Sequence, residues 1–274
     1  MPVKVLGIIS GMGELPKVIS LEAKSKGYRV FAVALEPLAD SKISNYVDEM
    51  RSVNVGKLGE IIDTLKRVGA KEVVMAGKVP KSLLYKSKIT PDLRAIKLLF
   101  TLKDRSDDSI LLAIAKELES EGLKLLNTTD FCSSLLTPEG VLTEEGLSED
   151  EWKDVRFGWN IAKEIGRLDI GQTVVVKNQA VMAVEAIEGT DEAIKRGGLY
   201  AGEGAVVVKV SKPNQDMRFD VPVVGMNTLR TMIDARARVL ALDAKKTILL
   251  QREQLIREAN EAGITVIGYK IADS

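Results

Sequence analysis

The stretch SKPNQDMRFDVPVVG, residues 211–225, sets Lys212, Gln215, Asp216, Arg218 and Asp220 close together and then turns apolar. Asp220 stands between Phe219 and Val221, where an unpaired buried charge would cost several kcal/mol. It is therefore either exposed at a strand entrance or met by a cation. Upstream, VEAIEGTDEAI places Glu185, Glu188, Thr190 and Asp191 inside seven residues. Thr190 or Asp191 can cap a helix, which leaves Glu185 and Glu188 unaccounted for near the end of a strand. Two loops of acids with bases between them would make a metal and phosphate site if they converge, and scattered surface charge if they do not. The chain contains no histidine, which removes Ser-His-Asp and Cys-His catalysis and every imidazole-ligated zinc site. Acid–base or metal chemistry must use oxygen ligands, lysine or tyrosine, a set that suits Mg²⁺ or Mn²⁺ and phosphate chemistry.

Other groups admit two readings each. Gly11, Met12 and Gly13 follow a strand and precede a helix with Pro16 in its first turn, so free N–H groups there could hold a phosphate, or the loop is only a tight turn. Glu36, ending the second strand, could contact a ribose. Gly77 ends a further strand beside the first, and its loop could close the same crevice with Lys78 or Lys81, unless those lysines are simply solvated. RSDDS (105–109) offers Ser106 or Asp107 as a helix cap. EIGRLDIGQT (164–173) carries Arg167 and Asp169, a pair that would brace a domain junction. Cys132, the single cysteine, has apolar neighbours and reads as a buried thiol.

Stepping along the chain, VKVLGII (3–9), a helix with Leu15, Val18, Ile19 and Ala23 on one face, YRVFAVAL (28–35), a helix with Leu58, Ile61, Ile62, Leu65 and Val68, and EVVMAG (72–77) make a βαβαβ pattern. The fold class expected is α/β: an N-terminal Rossmann-like parallel-sheet domain over 1–136, a linker over 137–151, and a second α/β domain with a mixed sheet over 152–274. Helices are expected near 91–102 and 107–121, with a short strand at LKLL. In the second domain a helix carries Trp152, Val155, Trp159 and Ala162, and a hairpin turns at Lys177–Gln179. Strands GAVVVKV, PVVG, TILL and ITVIGY then alternate with helices near 228–238 and 252–262. Lys plus Arg equals Asp plus Glu at 39 each, which gives no bulk electrostatic argument for nucleic acid. No apolar run approaches the roughly 20 residues that span a bilayer, and glycines break the N-terminal apolar run before a signal core develops. A cytoplasmic protein is expected.

IISGMGELP, MAGKV, DDSILLAIAKELESEG, IGRLDIGQTVVV, AVMAVEAIEGTDEAI and KPNQDMRFDVPVVG together resemble the LpxI-type UDP-2,3-diacylglucosamine diphosphatases, in the same order along nearly the whole chain. GRLDIGQ, AVEAIEGTD and DVPVVG are the most specific segments; Met12 departs from the glycine run that family members often carry. The resemblance implies a two-domain, Mg²⁺-dependent enzyme of lipid A synthesis with its site in the cleft between domains. It would hydrolyse the pyrophosphate of UDP-2,3-diacylglucosamine by water attack on the α-phosphorus, releasing UMP and 2,3-diacylglucosamine 1-phosphate. The family's essential aspartate before the x-P-x-x-G segment matches Asp220, as metal ligand or orienter of water. Gly11, Gly13 and the Gly77 loop would hold the nucleotide, Thr190, Lys212 and Gln215 would contact phosphate or sugar, and Glu188 and Asp191 would be further metal candidates. Hinge motion about 137–151 would close and open the cleft. A homodimer is suggested by analogy, and contact with the inner-membrane surface would be transient and driven by the substrate.

Two other readings compete: an NAD-dependent oxidoreductase, suggested by the first βαβ unit and Glu36, and a non-catalytic UDP-sugar or nucleotide-binding regulator. Absence of NADH binding would dispose of the first. Retention of Asp220, Glu188 and Lys212 counts against the second.

Overall fold

The computed structural model describes residues 3–80, 89–102, 107–213 and 215–270. They form two compact units, one made of residues 1–133 with Asp216–Asp220, the other of 134–215 with 221–274. The five-residue insertion 216–220 thus packs with the first unit although it lies late in the sequence.

In the first unit, β1 (Val5–Ser10), α1 (Leu15–Ser25), β2 (Arg29–Glu36), β3 (Glu49–Asn54), α2 (Leu58–Arg67), β4 (Glu72–Ala76), α3 (Leu93–Thr101), α4 (Asp107–Ser120) and β5 (Lys124–Leu125) follow in order. Among the described residues the strands form one parallel sheet ordered β3-β2-β1-β4-β5. Buried β-branched and leucine side chains run through β1 and β2, as a sheet covered on both faces requires. Leu58, Ile61, Ile62 and Leu65 of α2 bury one helical stripe against it, joined by Leu118 of α4. The order reverses between β1 and β4, the place where ligands bind in open α/β sheets.

The second unit contains β6 (Gly140–Val141), α5 (Glu149–Arg167), β7 (Thr173–Lys177), β8 (Ala180–Val184), α6 (Thr190–Ala201), β9 (Ala205–Lys209), β10 (Val223–Val224), α7 (Met226–Asp234), β11 (Ala237–Asp243), β12 (Ile248–Leu249), α8 (Arg252–Glu261) and β13 (Thr265–Tyr269). Its described strands form a mixed sheet ordered β6-β13-β11-β9-β7-β8, with β10 and β12 paired apart from it. Helix α5 starts on a reciprocal capping box between Ser148 and Glu151 and buries Val155, Trp159 and Ala162 on one face of the sheet. The other face packs Ile194, Leu229, Met232 and Leu255 from α6, α7 and α8. The hairpin turn places Asn178 and Gln179 at positive φ, and the buried Asp154 carboxylate accepts both their backbone N–H groups at 2.9 and 2.6 Å. The segment 137–151, expected as a linker, carries β6 paired antiparallel to β13, and Thr137 exchanges hydrogen bonds with Thr247 and Lys245.

Candidate functional site

In the second unit the chemistry gathers at one edge of the mixed sheet. β9 and β11 are parallel and end there at Lys209 and Asp243, while β7 begins opposite β9 at Thr173. β8 ends beside it, so that Glu185 N–H donates to Thr173 O. Lys209 and Glu185 are both buried, at 4% and 8% exposed. Thr190, the first residue of α6, connects them: Lys209 Nζ donates to its hydroxyl at 2.7 Å, and the hydroxyl donates to Glu185 Oε1 at 2.9 Å. Burial alone would push the Glu185 carboxyl up. The charge of Lys209 and hydrogen bonds from Thr173, Thr190 and the Gln172 N–H outweigh it and hold the group below its usual value.

The loop after β9 leaves this edge from a second polar cluster. Asp243 Oδ2 accepts from Ser211 N (3.1 Å), Ser211 Oγ (2.9 Å) and Lys163 Nζ (2.6 Å), and Lys163 also donates to Ser211 O. Lys212 then forms a 2.6 Å ion pair with Asp169, which sits at positive φ. Sequence pairing of Asp169 with Arg167 is corrected here: Arg167 bonds Glu164, one turn back on α5. Gly166 of GRLDIGQ lies against Lys212 and Pro213: a Cβ there would be in ordinary contact, 3.4 Å from Lys212 Cα. Gln215 Oε1 accepts from Lys212 N at 2.6 Å. Its amide nitrogen and Gln172 Oε1 are shielded from solvent without a hydrogen-bond partner among the described residues, an arrangement that costs stability unless something else satisfies them. Gln172 ends the dense GRLDIGQ segment noted in the sequence, which gave no role to its amide.

In the first unit the two loops at the switch point are tied together. Gly11 N–H donates to Ala76 O, while Met12 and Lys78 exchange backbone hydrogen bonds of 3.0 and 2.9 Å. A Cβ at Gly11 would lie 2.8 Å from Lys78 O, and one at Gly77 (φ 89°) would lie 2.6 Å from Met12 O. This close pairing accounts for both glycines, and the Gly11 N–H donates to protein. Gly13, at φ 96°, has open space around its Cβ position. Glu36 ends β2 exposed; Lys81 and Ser106 lie outside the described residues. Cys132 is buried, and burial pushes its thiol up to about 12, in keeping with an inert thiol.

Asp220 ends a single turn on this unit. Asp216 O accepts from Phe219 N (3.2 Å) and Asp220 N (3.0 Å). The Arg218 guanidinium grips both Asp216 carboxylate oxygens, holding that carboxyl below its usual range, and reaches Glu119 of α4 at 2.9 Å. Asp220 itself is half-buried, so neither full exposure nor deep burial describes it.

Mg²⁺ is commonly held by one or two carboxylates, substrate phosphate oxygens and water. Among the described residues no group of three or more His, Cys, Asp or Glu side chains forms a ready cage. Glu188 is ion-paired with Arg196, and Asp191 accepts from Thr228 Oγ1 at 2.8 Å. A half-buried carboxylate such as Asp220 fits an ion that arrives with a phosphate substrate better than one held by protein alone.

Residues 5–135 match the LpxI N-terminal domain and residues 138–267 the LpxI C-terminal domain. UDP-2,3-diacylglucosamine pyrophosphatase LpxI of Caulobacter vibrioides is 31% identical over 275 aligned residues, covering 96% of each chain. Solved structures with partial likeness include Rhizobium etli pyruvate carboxylase (14% identity, TM-score 0.29, 45% of this chain and 11% of that one). Another is the N5-carboxyaminoimidazole ribonucleotide synthetase of Thermotoga maritima (19%, TM-score 0.27, 70% and 44%). The chain spans less than half the length of either, and at these scores neither carries an argument. With both domain models matched in order and a full-length relative, the chain belongs to the LpxI family of UDP-2,3-diacylglucosamine pyrophosphatases.

Proposed function

We propose that the protein hydrolyses the pyrophosphate bond of UDP-2,3-diacylglucosamine, a step of lipid A biosynthesis, by water attack on the α-phosphorus, yielding UMP and 2,3-diacylglucosamine 1-phosphate. The observation that carries this reading is the end-to-end likeness to the Caulobacter vibrioides enzyme. In a chain without histidine, Asp220 is the group assigned to orient the attacking water or to hold Mg²⁺. Bound Mg²⁺ would supply charge neutralisation on the phosphate oxygens and a more acidic water. Gln215 supports a phosphate or sugar contact, because its shielded amide nitrogen has no partner among the described residues and a substrate oxygen would satisfy it. Lys212, fixed by Asp169, would add charge to the same contact, and Thr190 would hold Lys209 in place beside it. Gly11 and Gly77 would shape the nucleotide loop and Gly13 would leave it room. Glu188 and Asp191 would serve as further metal or water ligands only after exchanging Arg196 and Thr228. Contact with a membrane surface would come through the lipid substrate, since no described helix is long and apolar enough to cross one; a homodimer remains part of the proposal.

Incubating the protein with UDP-2,3-diacylglucosamine and Mg²⁺, beside a chelated sample and the Asp220→Ala variant, tests all parts together. UMP and lipid monophosphate are expected only from wild type with metal. A folded, metal-supplied wild type that yields neither product refutes the substrate, and an active Asp220→Ala removes Asp220 from the mechanism.

A further inference from the structure

The turn that carries Asp220 is closed by hydrogen bonds onto Asp216 O and by the Arg218 N–H onto the Asp216 carboxylate. Part of its outside support comes from a buried residue far away in sequence. Thr128 is 2% exposed and opens a 3₁₀ turn (Thr128–Phe131) just after β5. Its backbone N–H donates to Met217 O at 3.1 Å, and its hydroxyl lies 3.1 Å from Arg218 O and 3.2 Å from Met75 O. Successive carbonyls of the turn are thus taken by the two donors of a single residue.

The reason Thr128 can do this lies in the sheet. β5 is two residues long and its pairing with β4 stops at Val73 and Leu125, with Leu126 N–H adding one bond to Val73 O. The next carbonyl of β4 on that side, Met75 O, has outrun its neighbouring strand and takes the Thr128 hydroxyl instead. A hydroxyl has one proton, so it is shared between the end of β4 and the turn, and the turn is tied to the rigid sheet. Phe219 packs its ring onto the same core, and the Arg218 grip on Asp216 and Glu119 closes the outer side. A turn held on both faces in this way presents the residue that ends it, Asp220, from a fixed backbone, and orientation is worth large factors in rate when a carboxylate must meet a water or an ion in line with phosphorus.

We infer that Thr128 is a positioning residue for Asp220, acting through the Met217 and Arg218 carbonyls, with the Asp216–Arg218 pair as the second half of the clamp. This rests on the reading of Asp220 given above, and the test separates the two. Steady-state kinetics would be measured for Thr128→Val, Thr128→Ser and Arg218→Gln beside Asp220→Ala, with thermal melting of each. Thr128→Val removes the shared proton at nearly constant shape. It should lower kcat by about 10- to 100-fold while KM stays within about twofold, since geometry at the reacting centre is lost and ground-state binding is not. Thr128→Ser keeps the hydroxyl and should return kcat to within about threefold of wild type. Arg218→Gln alters a half-exposed side chain and should show the same split between kcat and KM, which keeps the test decisive should Thr128→Val fail to fold.

A folded Thr128→Val with wild-type kcat, beside an inactive Asp220→Ala, overturns the positioning role and leaves the role of Asp220 standing. Where Thr128→Val does not fold, a wild-type kcat in Arg218→Gln overturns it. A raised KM at unchanged kcat in either variant also overturns it, because the residue would then be binding substrate. An active Asp220→Ala brings down the reading of Asp220 and this inference with it.

Discussion

Replacing Lys209 by methionine would leave Glu185 charged, buried and without its cation. Two hydrogen bonds in series, 2.7 and 2.9 Å through Thr190 Oγ1, put Lys209 Nζ within about 5.6 Å of Glu185 Oε1. At an effective dielectric of about 20 that separation is worth about 3 kcal/mol. Methionine fills the buried volume, so the cost is chiefly electrostatic. With a urea m-value of ~2 kcal/mol/M the midpoint should fall by about 1.5 M. Trp152 and Trp159 are the only tryptophans and both belong to the second unit, so their fluorescence reads this unit's unfolding.

The effect of pH follows from the direction of the Glu185 shift. In wild type the folded carboxyl titrates below its ordinary 4.5, so its contribution is fully present above that value and disappears only as pH falls through the lower, folded one. Between pH 7.5 and 5 wild-type stability from this group is flat. In the variant the charge of Lys209 no longer helps offset burial, so the folded carboxyl titrates higher than in wild type; with burial then the larger effect, the folded state takes up the proton first and gains stability as pH falls. The deficit should therefore narrow toward pH 5, and adding Glu185→Gln should recover most of it. A Lys209→Met midpoint within about 0.3 M of wild type at pH 7.5, or a deficit that widens toward pH 5, would refute the reasoning.

Two further outcomes are expected. Gly77→Ala should destabilise the first unit by about 2–5 kcal/mol, from positive φ and the approach to Met12 O, read by circular dichroism. Gly13→Ala, with open space at its Cβ, should lose only the conformational part, about 1–2 kcal/mol. Cys132, its thiol raised to about 12 by burial, should resist a disulfide reagent at pH 8 in the native protein and react once when unfolded.

The strands β1, β2, β4, β9 and β13 were legible in the sequence as continuous apolar runs, and the stripes of α1, α2 and α5 because their buried faces repeat at helical spacing. β3, EMRSVN, was not: it is an edge strand with one buried residue, Val53, and its polar composition is what an edge calls for. β11 was not singled out either: the helix expected near 228–238 reaches only its first two residues, α7 in fact stops at Asp234, and burial between β9 and β13 makes ARVLALD a strand. At the candidate site, Lys212 and Gln215 could be singled out by type. Asp169, Lys209, Asp243 and Thr128 could not be assigned partners, because their contacts join segments tens of residues apart and leave no local pattern.

The late segment Asp216–Asp220 has a consequence during synthesis. Residues 134–215 separate it from the rest of its unit, and a ribosome working at about 5–20 residues per second needs roughly 4–16 s to traverse them. The first unit therefore emerges with Thr128, Met75 and Glu119 in place but the turn they receive still unmade. It must wait for most of the second unit before its last piece arrives. Nascent chains stalled before Asp220 would hold both sheets' beginnings and no complete first unit, so the carboxylate proposed for catalysis joins its unit only after residues 134–215 have been made.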